Sequence, residues 1–342
     1  MSKRKKLWLI AAICLILLGG VLFVGVMTVL KWEFNVLSTT QYEEKHHRIT
    51  DAVHSISIIA DTADITFVPS EDETGSVVCL EESSMRHAVA VTDGTLTVEI
   101  TDTRAWYEHI GIHFGTPKIT LRLPRGDYDA LCIRSHTGDI QIPDDFHFAH
   151  IDIEQSTGDV TSNASATDTV KIKTSTGDIS IAHIHAAALD LSTTTGGVSA
   201  ADVTLTEDIS VNVSTGKTEL REVTCRRLRS SGSSGDILLH RVIVEETVSI
   251  ERSTGDVTLE QCDADELLIE TDTGDVTLEQ CNADEFLIET DTGDVTGSLL
   301  SDMVFVTHTD TGRVSVPNSV TGGRCEITTD TGDIKIAVVG KQ

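Results

Sequence analysis

Aspartate recurs in this chain at one fixed place. It follows a Thr-Gly or Ser-Gly pair at Asp139, Asp159, Asp178, Asp236, Asp256, Asp275, Asp294 and Asp333. Near the carboxyl end a second aspartate precedes the pair, at Asp272, Asp291, Asp310 and Asp330. If the copies stack, their carboxylates form rows, and Ca²⁺, which takes six to eight oxygen ligands, could bridge such rows. Asp256, Asp272, Asp275, Asp291 and Asp294 are the candidate ligands. The competing reading is an aspartate that only forms the turn on a solvated corner. Gly197, Lys217 and Arg313 take the same place without breaking the pattern, which favours the turn.

Other residue types suggest chemistry more weakly. Glu108, His109 and His113 lie in WYEHIGIHFG. Two histidines four apart suit zinc on a helix, and Gly111 and Gly115 argue against a helix there. Gly216-Lys217-Thr218 ends like a phosphate-binding loop, but Val211 stands where that loop needs its first glycine. Arg125-Gly126-Asp127 spells the integrin-binding tripeptide and is also an ordinary turn after Pro124. The Thr-x-Thr pairs Thr271/Thr273, Thr290/Thr292 and Thr309/Thr311 raise an ice-binding face, yet they sit beside corner glycines. Cys262 and Cys281 fall at one site of adjacent repeats, where a buried thiol ladder is favoured over a bridge. No catalytic constellation and no cofactor-binding motif emerges.

The elements that must position these residues are repeats. The glycines Gly138, Gly158, Gly177, Gly196, Gly216, Gly235, Gly255, Gly274, Gly293, Gly312 and Gly332 are spaced by 19 or 20 residues throughout. A period near twenty is the mark of a solenoid. β-Branched and apolar residues alternate on both sides of each glycine, as in Val170/Ile172 before Gly177 and Ile179/Ile181 after it. Alternation with period two means half-buried strands. Each unit therefore holds two short strands around a glycine corner, with a further bend in stretches such as EQCDAD. The expectation is an all-β, parallel β-solenoid of about eleven coils over residues 131–340. The spacing also predicts an inward Val/Ile/Leu ladder. Coils stacked at about 4.8 Å would make a rod of roughly 50 Å.

The first residues are different material. Lys3, Arg4, Lys5 and Lys6 form a basic segment over residues 1–6, and residues 7–30 carry no charge. That run is long enough to cross a bilayer as a helix, and the basic cluster predicts a cytoplasmic amino terminus. A single-pass anchor in the cell membrane follows, with everything after it extracytoplasmic. A cleaved signal peptide is the competing reading, against which stand the length of the run and the lack of a small-residue cleavage pattern. Residues 31–50 read as a stalk. Residues 51–130 read as an amino-terminal β portion: a degenerate coil, SISIIADTADITF, with Ala63 in the glycine's place, then a hairpin turning at Asp93-Gly94, a loop over 101–118, and KITLRLP. This portion would cap the membrane-proximal end, and no comparable cap shows at the far end.

The net charge of −28 argues against nucleic acid as a partner. Aromatic residues are 4% of the chain, too few for a sugar-stacking cleft, and repeats this regular leave no long loops to wall one. A carbohydrate-active enzyme is disfavoured accordingly.

The anchor, the SISIIADTADITF entry, the hairpin, the KITLRLPRGDYDALCIRSHTGDI join and the recurrent S/T-G-D-[IV] resemble the bacterial adhesin-like domain called toast-rack. The resemblance covers about residues 50–340. It implies a right-handed β-solenoid, often membrane-anchored, sometimes tied to envelope-stress systems, with no catalytic residues to carry over. Two functions stay open on it: a surface interaction module binding a protein or the cell wall, and an accessory or sensor of envelope stress. A Ca-stabilised surface repeat is a third.

Overall fold

A computed structural model of the chain describes residues 3–32, 42–71, 74–82, 85–102 and 116–340. The loop expected around residue 108, with Glu108, His109 and His113, lies outside the described residues. Among the described residues one helix, α1 (Lys3–Val29), precedes thirty strands, numbered β1 to β30 in chain order. Within α1 the span Ala12–Val29 has a mean hydropathy of 2.7, long and apolar enough to cross a membrane.

The strands build a β-solenoid of about ten turns. Each coil contributes one strand before its glycine and one after it, and each strand pairs in parallel with its equivalents above and below. β12 (Ser165–Thr176) lies between β10 (Phe146–Thr157) and β14 (Ala188–Thr195), matching Ile153, Ile172 and Leu191. β13 (Ile179–Ala186) and β15 (Val198–Leu205) do the same after the corner. Alternate side chains point in, so Val170, Ile172, Ile179, Ile181 and their counterparts form one continuous core. No coil could bury these faces alone; stacking does it for all of them.

The corner glycine has two physical reasons. From Gly138 (φ +132°) to Gly274 (φ +155°) the backbone sits where side chains are rarely tolerated. The coils also touch there: a methyl group on Gly158 would lie 2.1 Å from the Gly138 carbonyl oxygen, and one on Gly332 would lie 1.9 Å from that of Gly293. Six residues beyond the glycine comes a second corner. His183, Asp202, Glu222, Arg241, Gln261 and Gln280 hold it with φ between 54° and 58°, in the left-handed region.

SISIIADTADITF does form a coil, β2 (Ser55–Ile59) and β3 (Asp64–Ser70), and Gly138 packs on the Ala63 carbonyl. It is not the outermost one. β6 (Thr95–Asp102) and β7 (Lys118–Pro124) make a coil beyond it, so β2 lies between β6 and β8 (Gly126–Thr137). The expected hairpin is present as β5 (Met85–Thr92) against β6, turning at Asp93 and Gly94. β4 (Gly75–Glu82) lies antiparallel to β7 and caps the other side. Residues 42–49, read as part of a stalk, are instead β1 (Tyr42–Ile49), an antiparallel edge strand on β4. Its apolar Ile49 is buried among the cap, which outweighs the polarity of YEEKHHR.

The carboxyl end repeats the interleaving. The even glycine spacing predicts that the coil of Gly312 sits between those of Gly293 and Gly332. The structure corrects this. β25 (Glu285–Thr292) pairs with β29 (Gly323–Thr331), and β29 pairs in turn with β27 (Met303–Thr311). β30 (Ile334–Val338) likewise lies between β26 (Val295–Leu299) and β28 (Val314–Ser315). The inward residues explain the order. The inserted coil buries Cys325, Ile327, Ile334 and Ile336, whereas the outermost one offers Thr307 and an exposed Val314. Full burial of an isoleucine contributes about 1.5–3 kcal/mol, so the more apolar coil gains by taking the covered position.

Candidate functional site

The aspartate corners are the natural place to look for a site. Each corner aspartate turns its Oδ1 to the next coil and accepts that coil's corner N–H. Asp275 N–H donates to Asp256 (3.0 Å), Asp294 N–H to Asp275 (2.8 Å) and Asp333 N–H to Asp294 (2.7 Å). The row begins at Asp64, which accepts from Asp139, and ends where Arg313 N–H donates to Asp333 (2.8 Å). Where Gly197 stands in the row it still donates to Asp178 (2.7 Å), so only the acceptor is lost. The carboxylate thus staples coil to coil. Asp256, Asp272, Asp275, Asp291 and Asp294 are all exposed, and the first, third and fifth of them spend one oxygen on this bond. Among the described residues the one group of three His, Cys, Asp or Glu side chains close enough to share a metal lies elsewhere, at Cys79, Glu81 and His87.

Three residues before six of the eleven glycines stands a threonine, at Thr174, Thr193, Thr271, Thr290, Thr309 and Thr329. Thr193, Thr290 and Thr329 donate to the carbonyls of Gly177 (3.1 Å), Gly274 (3.4 Å) and Gly293 (3.1 Å) in the coil below. Thr271 and Thr290 are buried and Thr309 is half-buried, so one member of each Thr-x-Thr pair is wholly or partly off the surface. Gly232 interrupts this row, and Arg252 of the next coil fills the space, its Nη1 donating to the Val213 carbonyl at 2.8 Å. Burial lowers the pKa of that guanidinium from its ordinary value.

Outside the corners a groove of about 540 Å³ runs across Asp127, His147, Ser165 and His185, with Tyr128 and Phe148 beneath it. The Tyr128 hydroxyl donates to the Pro124 carbonyl (2.7 Å), and burial pushes its pKa up to about 12. Arg125 is ion-paired with Asp145, and Asp127 sits on the strand ladder opposite His147, so the Arg-Gly-Asp tripeptide opens a strand rather than a loop tip. The histidines bonded through their rings find carboxylates: His183 with Asp202 (2.7 Å), His240 with Glu260 (2.8 Å), His308 with Asp310 (3.1 Å). Among the described residues none of these bonds joins a histidine to a serine or cysteine nucleophile.

Cys262 and Cys281 are stacked, free and buried, with their thiols directed at the carbonyls of Leu239 (3.6 Å) and Leu259 (3.4 Å). The neighbouring Cys281 thiol, followed by burial, raises the pKa of Cys262. The sequence placed both on one site of neighbouring coils. It gave no sign of the Cys79 group, because nothing local shows that a strand and the start of a hairpin return to the same wall.

Stacked corners, inward ladders and an apolar amino-terminal helix define a β-solenoid repeat protein. The profile of the Toastrack DUF4097 family matches residues 53–221 and again 206–342. The chain belongs to this family. Among solved structures it is similar to a candidate adhesin from Parabacteroides distasonis ATCC 8503, at 12% identity over 87% of this chain and 98% of that one, with a TM-score of 0.39. A candidate lipid-binding protein from the same organism matches at 13% identity, 88% and 98% coverage and a TM-score of 0.35. A candidate adhesin from Parabacteroides merdae ATCC 43184 matches at 12%, 88% and 98%, with 0.31. No curated protein matches the sequence.

Proposed function

We propose that the chain is a membrane-anchored, extracytoplasmic, right-handed β-solenoid that works as a non-enzymatic, adhesin-like interaction module. In this reading α1 is a single-pass anchor with its basic amino terminus in the cytoplasm. The repeats over 131–340 are the binding part, and a protein or the cell wall is the partner.

The observation that carries the proposal is the difference between the two ends of the stack. At the end that follows α1 in sequence, β4, β5 and β1 cover the last coil with antiparallel strands, and the outer strand β1 is strongly charged. Charge on an edge strand discourages pairing with other chains. At the opposite end β27 pairs on one side only, and Val304, Val306, Val314 and Val320 are exposed, the last at 86%. An open strand edge flanked by apolar side chains is the surface to which an added strand binds.

The test is made in cells expressing the full chain with a carboxyl-terminal tag. External protease applied to cells or spheroplasts should remove the tag. Attachment to partner cells or isolated wall should fall on deletion of residues 131–340 and in Val304→Lys/Val306→Lys. A protected tag overturns the topology, and attachment indifferent to the deletion overturns the interaction role.

A further inference from the structure

The amino-terminal cap holds a buried polar group that neither the repeats nor the interaction role requires. Cys79 and Glu81 lie on β4 and His87 on β5. Cys79 is fully buried, and the side chains of Glu81 and His87 are 1% and 0% exposed. One ligand atom from each of the three lies within 4.8 Å of the others. Glu81 Oε2 accepts the backbone N–H of His87 (2.6 Å) and meets its Nδ1 (3.1 Å). The carboxylate therefore fixes the imidazole and leaves Nε2 as the available nitrogen. That Nε2 is buried without a hydrogen-bond partner.

A second orphan stands beside it. In the β1–β4 pair, Lys45 lies opposite Cys79 and His47 opposite Val77, so both share the face of the thiol. His47 Nε2 is also buried and unpartnered. The remaining charged group facing the cluster is Lys45, whose Nζ is 3.2 Å from Glu81 Oε1. A buried polar atom left unpaired costs about 1–3 kcal/mol. Two imidazole nitrogens so placed in one apolar wall, next to a thiol and a carboxylate, are not explained by packing.

We propose that Cys79 and His87, with His47 as a further donor and Glu81 holding the His87 ring from behind, form a binding site for a borderline-soft divalent cation of the zinc class. Thiolate and imidazole are ligand types of that metal, and a carboxylate holding the far side of a ligating histidine is its usual outer support. Binding converts the Cys79 thiol to thiolate, with the proton released to solvent, and the cation's charge displaces the Lys45 ammonium from Glu81. The site would tie β1, β4 and β5 together, closing the cap over the first coils.

The experiment uses the full chain in detergent and Co²⁺ as the optical probe, with Zn²⁺ as competitor. The expected result is a thiolate-to-cobalt charge-transfer band that saturates at one metal per chain and is erased by Zn²⁺ but not by Ca²⁺. The band should vanish in Cys79→Ser, and affinity should drop about 10-fold or more in His87→Gln and in His47→Gln. Absence of the band from the wild-type chain overturns the proposal, whether or not the variants fold. So does a band that persists in Cys79→Ser, which would place the metal on another cysteine.

Discussion

At the scale of single residues, the corner separates two tasks that the sequence merges in one motif. Glycine permits the coils to touch, and aspartate bonds them. Gly255→Ala would place a methyl group 2.3 Å from the Gly235 carbonyl at a φ of +136°. Overpacking of this kind costs about 1–3 kcal/mol before the backbone strain is added, and thermal unfolding should show a clear drop in midpoint. Asp275→Ala removes the acceptor for the Asp294 N–H, a charge-assisted bond contributing about 1.5–3 kcal/mol. The same fall in midpoint is expected with EDTA and with Ca²⁺, because the bond needs no ion. A midpoint raised by Ca²⁺ only in the wild type would make the aspartates ligands. The thiols offer an independent check on burial. Cys225 and Cys325 have pKa values pushed up to about 12 by desolvation. Iodoacetamide at neutral pH should spare both in the native protein and modify both after denaturation, as read by peptide mass spectrometry.

At the scale of the coil, the second corner stores strain that the glycine corner avoids. A left-handed backbone costs an ordinary residue about 1–2 kcal/mol. The chain offsets part of this by pairing neighbours along the column: His183 with Asp202, Glu222 with Arg241, and Gln261 with Gln280 (3.2 Å). Gln280→Gly should therefore stabilise the fold, by up to about 1 kcal/mol, and raise the unfolding midpoint despite the lost side-chain bond. The flanks carry a pH signature as well. Arg227, hydrogen-bonded to Asp208 at 2.8 Å, holds that carboxyl below its usual range. A depressed folded pKa gives stability that is present above about pH 3.9 and is lost as pH falls further. Asp208→Asn should flatten that acid limb, by no more than about 1 kcal/mol because the pair is exposed. The coil was legible in the sequence because both its signals are local. Ile172 and Ile179 declare their strands by alternation, and Gly177 declares its corner by its period. The left-handed corner was legible only as a bend, since Gln261 and Gln280 are not turn-forming residues.

At the scale of the whole molecule, legibility ends where order along the chain stops predicting order in space. Gly293, Gly312 and Gly332 are evenly spaced, and no local feature says that the third coil slips between the first two. The signal that could have found it is a comparison of inward slots, Thr307 against Ile327, weighed for which coil can bear exposure. The approach of His47 to the Cys79 group was hidden for a related reason, because the return of β1 to β4 is a long-range pairing. Deletion of residues 323–342 tests the arrangement. The coil of β27 and β28 then loses its neighbour, and limited proteolysis should trim the chain back to the coil of β25 and β26.

That arrangement also bears on how the molecule is made. A repeat protein can ordinarily add coils in the order of synthesis, and any prefix of the chain is a shorter version of the whole. Here Gly323 to Val338, synthesised after both of the coils that flank them, enter a slot that has coils on both sides. A nascent chain must hold that slot open until this stretch arrives, and one that stops before it keeps an unsealed seam. Whether synthesis has passed this stretch is thereby written into the shape of the stack, where a protease can read it.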